Sequence, residues 1–259
     1  MIAQKGDDCN PICHFISFGL IVTGKTEKEH LPKLFKSLMK TGFCSFEVIH
    51  FVGQRSSVTS EKRKIEMVGR KQIIPDKDEN LGMMARRYLK NDICHFVILI
   101  DDLESRRRQH ARQIFERYRL AFDVVLTKAQ QKRTAVHFLV NMLEAYYFAD
   151  SNALKLVLNI EGIKDYEGDV ETIKHPKNEL KRIFSSFNEK DDGGRIIENL
   201  NVEHILSNPY TCAWLRTLFL WCVKILAKCS YCEIFELNEK FCLQNGVKSP
   251  VTINQINNI

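Results

Sequence analysis

Long apolar runs are missing from this 259-residue sequence, and with them any segment expected to cross a bilayer as a helix. No basic stretch followed by an apolar core opens the chain, so no secretory leader is expected and the expected compartment is the cytoplasm. Internal repeats and low-complexity tracts are lacking as well. Cysteine is plentiful at nine, but orderly pairs are not: the number is odd and the spacing scattered. That argues against a disulfide framework and leaves most cysteines as small buried apolar residues. Cys9-x3-Cys13-His14 and Cys229-x2-Cys232 look like metal half-sites. Neither has a second pair at matching spacing to complete a four-ligand zinc centre. A nucleotide-binding phosphate loop is also absent. Gly24-Lys25-Thr26 lacks the upstream glycine at fixed spacing, and Gly19 falls inside an apolar strand run.

What is present is an ordinary globular composition, 44% apolar and 27% charged, with a net charge of +6. The basic excess, 38 Lys and Arg against 32 Asp and Glu, permits a polyanionic partner without requiring one. The chain is organised around Phe96–Glu104. Five apolar residues, three of them β-branched, predict a strand buried on both faces, as in a parallel sheet. The run ends in Asp101, Asp102 and Glu104. In open α/β sheets the site lies outside the carboxyl ends of the strands. Carboxylates there either hold a hard cation such as Mg²⁺, or solvate the strand end and cap the next helix.

Around this strand the pattern predicts α/β architecture. Strands are expected at His14–Val22, Phe46–Val52 and Ala135–Val140. A helix is expected after Gly24, where Thr26 and Glu29 have capping-box spacing and Pro32 makes either the first turn irregular or the regular helix start near Leu31. The basic stretch 53–80, with Arg55, Lys62, Arg63 and Lys64, is either a groove tracking a phosphate backbone or a solvated loop. A short helix is expected at Leu81–Leu89. Ser105–Phe122 predicts a helix whose apolar stripe is Ile114, Phe115, Tyr118 and Phe122. Its Arg106, Arg107 and Arg108 either grip phosphates or form an ordinary charged face. Glu144 stands in an apolar setting, so it is either a salt-bridge member or a site residue. Further on, Asp150-Ser151 caps a helix, Pro176 begins one, Asp191–Gly194 reads as a turn, and Thr211–Lys228 is an apolar core or interface helix. The change of character divides the chain into an α/β core over 1–150 and a helical C-terminal part over 151–259.

Three segments together carry a resemblance: Val22–Glu29, Ile98–Glu104 and His137–Asp150, with His175-Pro176-Lys177 following. They resemble the Toprim fold of topoisomerases, primases and OLD-type nucleases. More closely, residues 14–230 resemble the Toprim-like family catalogued as domain of unknown function 4276. The resemblance implies a Toprim-like sheet of mainly parallel strands flanked by helices. It further implies a bacterial anti-phage role beside an ABC- or SMC-like ATPase. One departure stands out: where Toprim enzymes carry a glutamate before the turn glycine, this chain has Thr23. Either Glu27 takes over, or the metal site is altered, or hydrolysis has been lost.

Two functions follow. The first is a nuclease using Mg²⁺ or Mn²⁺ on DNA or RNA. Its ion would be held by Glu27, Asp101, Asp102, Glu104 and Glu144, with Glu27, Asp101 and Lys25 as catalytic groups. Nucleic acid would lie against Arg106, Arg107, Arg108, Lys62, Arg63 and Lys64. The second is a non-catalytic metal- or partner-binding module of the same ATPase complex, which Thr23 favours. Both leave homo-oligomerisation open.

Overall fold

Four strands lie side by side at the centre of the molecule; three of them are apolar runs buried on both faces, and the fourth, at the edge, is only partly buried. The computed structural model describes residues 13–53, 67–68, 71–72, 76–229 and 234–259. Its strands are β1 (Ile16–Val22), β2 (Cys44–Phe51), the two-residue β3 (Met67–Val68) and β4 (Lys71–Gln72), β5 (His95–Leu103) and β6 (Thr134–Val140). β3 and β4 form a separate antiparallel pair, while the main sheet runs β2-β1-β5-β6 with every pairing parallel. β1, β5 and β6 are buried almost throughout, as the uninterrupted apolar runs predict.

The helices are α1 (Lys25–His30), α2 (Lys36–Met39), α3 (Asp76–Asn91), α4 (Ser105–Arg108), α5 (Ala111–Val125), α6 (Lys128–Gln131), α7 (Ser151–Leu158), α8 (Pro176–Ile183), α9 (Asp191–Asn199), α10 (Val202–Ile205), α11 (Ala213–Cys229) and α12 (Ile234–Lys240). Among the described residues no helix is long and apolar enough to cross a membrane.

Alternation along the strands divides the sheet into two faces. Ile21, Leu99, Leu103 and Phe138 pack with the α3 and α5 residues Leu81, Ala85, Tyr118 and Phe122. Phe18, Leu20, Ile98, Ile100 and Leu139 pack instead under the C-terminal helices, joined by Leu215, Phe219 and Trp221 of α11. Trp221 sets its edge against Phe18 and Phe96, with ring centroids 6.1 and 6.3 Å away. The helical C-terminal part thus shares the cover of this face with α2 and the segment Leu31–Phe35, whose Phe35 stacks on Phe46 of β2.

Several local expectations are corrected. A disulfide joins Cys13 to Cys94, although the cysteine count gave no framework. Ser17 N donates to Cys94 O, so the segments leading into β1 and β5 run alongside one another and bring the two sulfurs together. Cys13 is therefore withdrawn from the metal half-site; Cys9 and Cys232 lie outside the described residues. Gly24 is the N-cap of α1, with no side-chain cap from Thr26. α1 is regular until Pro32, where a 3₁₀ turn over Leu31–Phe35 takes over. The capping box occurs elsewhere, between Thr127 and Gln130. The long arginine helix is two helices, α4 and α5. Asp191–Gly194 is no turn but the first turn of α9, whose glycines let α9 approach His30 and Tyr147.

His137 on β6 is wholly buried near Trp221, and neither ring nitrogen has a hydrogen-bond partner. Burial pushes its pKa down to about 3. The unfolded chain therefore binds a proton below about pH 6.5 that the folded chain refuses, and stability falls as pH drops through that window. Urea unfolding at pH 7 and pH 5 should show that replacing His137 by Leu spares the protein about 2 kcal/mol of acid-induced loss. Equal losses in the two proteins would refute this.

Candidate functional site

Adjacent residues of a strand point to opposite faces, and that rule decides the fate of the acidic strand end. Asp101 turns toward α5, while Asp102 turns toward the C-terminal helices. The two carboxylates that close the β5 sequence thereby enter different environments.

Asp101 is fully buried and saturated with donors. Its Oδ1 accepts from Thr23 Oγ1 at 2.6 Å and from Arg107 Nη1 at 3.2 Å. Its Oδ2 accepts from Arg107 Nη2 at 2.5 Å and from Tyr118 OH at 3.0 Å. An ionised carboxylate offers about four acceptor positions, and all four are taken. Burial alone would lower the pKa of Arg107, but the bond to Asp101 and its charge, joined by Tyr118, raise it. Thr23 acts here as a hydrogen-bond donor to the aspartate. Asp101, expected as a metal ligand and catalytic group, has its acceptor positions taken by Thr23, Arg107 and Tyr118. Arg107 Nη1 also holds the carbonyl of Asp102 at 2.5 Å, and Thr23 Oγ1 receives the Asp102 N–H at 3.4 Å. Both bonds fix the backbone from which the Asp102 side chain projects.

On the opposite face Asp102 meets Glu27 from α1 and Glu144 from the 3₁₀ segment Leu143–Ala149, all three buried. Desolvation first, then the charges of Glu27 and Glu144, raise the Asp102 pKa well above the carboxylate range. Asp102 Oδ1 has no hydrogen-bond partner. Glu144 is pushed up to about 7 by burial, against the pull of Lys177 3.4 Å away. Lys177 also pairs with Glu189 at 2.8 Å, so the salt-bridge and site alternatives for Glu144 are combined. Burial and the same carboxylates raise the hydroxyl of Tyr147 well above its usual value.

Gly24 admits this arrangement. A Cβ at position 24 would stand 1.5 Å from Glu27 Oε2, so only glycine lets the Glu27 side chain fold back over the N-terminus of its own helix.

A cleft of about 280 Å³ is lined by Lys177, the partner of Glu144, and by residues that follow β5 and β6. Its walls carry Arg106, Lys174, His175 and Lys177, opposed by Glu104, with Asn141 and Met142 at the β6 end. Asn141 and Met142 both have positive φ, 57° and 74°, and Met142 combines this with ψ 164°, a region that residues with side chains rarely enter.

The remaining candidates separate. Glu104 is exposed and lines the cleft, and Lys25 is exposed at the start of α1. Arg106 lines the cleft, whereas Arg107 is committed to Asp101 and Arg108 donates to the carbonyl of Glu171 at 2.9 Å. Lys62, Arg63 and Lys64 lie outside the described residues. Sequence reasoning missed Lys177 as the partner of Glu144, although the His175-Pro176-Lys177 motif marked the place. It also missed Glu171, whose buried carboxylate accepts from the backbone N–H groups of Trp214 and Leu215 at the start of α11.

The oxygen donors of Glu27, Asp102 and Glu144 are of the type a hard cation takes, and Asp102 Oδ1 is without a hydrogen-bond partner. Among the described residues, however, no group of three or more His, Cys, Asp or Glu side chains is placed so that it could hold a metal ion.

No curated protein and no solved structure matches the chain. The family described as "Domain of unknown function (DUF4276)" matches residues 22–219, a span that contains the Thr23–Asp101–Arg107 network, the three carboxylates and the cleft, and the chain belongs to that family.

Proposed function

We propose that the chain hydrolyses phosphodiester bonds of DNA or RNA with Mg²⁺ or Mn²⁺ at the Glu27–Asp102–Glu144 group, as the cytoplasmic effector of an anti-phage complex with an ABC- or SMC-like ATPase. The observation that carries this reading is the combination of buried carboxylates, one oxygen of them unpartnered, with a cationic cleft at the carboxyl ends of parallel strands. The bound cation would polarise the scissile phosphate and lower the pKa of an attacking water. The chain's own residues divide the remaining work. Glu27, Asp102 and Glu144 hold the ion. Lys177, anchored on Glu144, and Arg106 and Lys174 across the cleft neutralise the phosphate. Asp101, Thr23 and Arg107 keep the backbone of Asp102 in place.

A second reading, a non-catalytic module of the same complex, is favoured by one observation: the carboxylate that a Toprim enzyme would offer to its metal is occupied by Arg107. The two are separated by incubating the purified chain with plasmid DNA and with total RNA in Mg²⁺ or Mn²⁺, with and without a co-encoded ATPase. Asp102→Asn and Glu144→Gln should each lower cleavage by more than the roughly 10–100-fold typical of losing an outer-shell partner. Absence of cleavage from the folded wild-type chain under every condition would leave the module reading.

A further inference from the structure

One wall of the cleft has polar chemistry that phosphodiester hydrolysis alone does not use. Asn141 is 2% exposed and lines the cleft, yet its Oδ1 has no hydrogen-bond partner. The orientation of the amide is forced, because Nδ2 donates at 2.7 Å to the carbonyl of Glu171, which can only accept. A buried acceptor left open costs free energy that a donor on a bound ligand would return. The backbone is bent to put it there: two consecutive residues with side chains hold positive φ at the point where β6 ends. Such outliers persist only where the surroundings enforce them, and they gather at ligand sites. Around this acceptor stand the cations Arg106, Lys174 and Lys177. The ligand that satisfies both features carries an anionic group and, a few ångströms away, a hydroxyl or amino donor. The volume, about 280 Å³, matches the small end of ligand pockets, roughly 300 Å³ upward.

We infer that the cleft is a subsite for a single nucleotide unit, its phosphate held by Arg106, Lys174 and Lys177 and a sugar or base donor accepted by Asn141 Oδ1. The inference rests on the phosphodiester reading for its choice of phosphate as the anion, but its test does not depend on cleavage. Calorimetric titration of the full chain in EDTA with adenosine 5′-monophosphate, thymidine 5′-monophosphate and inorganic phosphate measures the subsite alone. Saturable binding of the mononucleotides, at least about tenfold tighter than inorganic phosphate, is expected. Asn141→Gly keeps the positive φ and should bring the mononucleotides down to the affinity of phosphate, leaving phosphate itself unchanged. Lys174→Gln should weaken both.

Absence of saturable mononucleotide binding, or unchanged binding by a folded Asn141→Gly protein, overturns the subsite. If Asn141→Gly does not fold, the wild-type comparison decides alone: mononucleotide and phosphate binding equally would overturn it. Asp102→Asn separates this outcome from the proposed activity. It should abolish cleavage while retaining mononucleotide binding. An inactive wild-type chain that still binds mononucleotides would sink the hydrolytic reading and keep the subsite.

Discussion

Replacing Asp101 by Ala should lower folding stability by about 3–5 kcal/mol, because it removes one partner of a buried ion pair and leaves the other uncompensated. The Asp101 carboxylate is inaccessible, and the side chain of Arg107 is only 12% exposed. Without the aspartate, the guanidinium loses two charge-assisted bonds, and the hydroxyls of Thr23 and Tyr118 lose their acceptor. For a chain of this size the midpoint of thermal unfolding should fall by on the order of 10 °C. Asp101→Leu combined with Arg107→Met should recover much of the loss, since a buried ion pair replaced by apolar groups of similar volume is often neutral. The result also bears on function. An acidic residue at a strand end invites the inference that an inactive Asp101→Ala protein has lost a metal ligand. Here the inactivity would follow from displacement of Asp102 and from partial unfolding. A variant that unfolds at the wild-type temperature but has lost all cleavage would return Asp101 to the metal site.

The contrast between Asp101 and Asp102 shows where sequence reading succeeds. The run Phe96–Ile100 states its burial on both faces without reference to any other segment, and β1 and β6 do the same, so the parallel sheet follows from local pattern alone. Strand alternation was equally available and separates Asp101 from Asp102. What it could not supply is the partner. Thr23 lies 78 residues from Asp101, and Arg107 is one of several arginines on a stretch that looks like a solvated face. The structure uses those arginines one by one as braces: Arg117 on Asp78, Arg119 on the start of β6, Arg108 on the Glu171 carbonyl. Nothing in the period or charge of the helix distinguishes them, because each is selected by a residue far away in the chain. The break between α4 and α5 is hidden for a similar reason: neither glycine nor proline marks it. At Asp191–Gly194 local propensity favoured a turn. Tertiary contact reversed it, since two small residues allow a helix to lie against His30 and Tyr147 where larger ones would collide. Glu144 was legible as an anomaly, a carboxylate in an apolar run. Its resolution by Lys177 was not, although the sequence placed that lysine in a motif that drew notice.

Arg216 is the second such anomaly, and its replacement by Met should rank with the most damaging changes in the protein. The side chain is buried within α11, in the middle of an otherwise apolar helix. Its Nη1 donates to the carbonyls of Leu206, Phe241 and Cys242, and its Nη2 to those of Asn208 and Thr211. Five backbone acceptors from two chain segments thus converge on one fork of donors. Each carbonyl stands where regular structure has ended and no helix or strand N–H reaches it, so the guanidinium replaces an absent ladder. Gly246 closes over it: a Cβ there would stand 2.3 Å from Arg216 Nε. Methionine would fill much of the volume and supply no donor. The orphaned carbonyls would then separate to admit water, at a cost of about 3–5 kcal/mol once several buried acceptors lose their partner. Lysine would not rescue it, since one ammonium offers three donors from a single point and cannot span both segments. The damage should also be local before it is global. α11 remains anchored to the sheet through Trp221, Phe219 and Leu215, whereas the carbonyls of Phe241 and Cys242 lose the donor that ties them to α11, although Phe241 and Leu243 keep their places in the core. Hydrogen exchange on Arg216→Met should therefore show lost protection first around 206–211 and 241–246, with the amides of β5 and β6 still slow. Uniform loss across the sheet would mean that Arg216 supports the whole fold; unchanged exchange at both segments would mean that it holds neither.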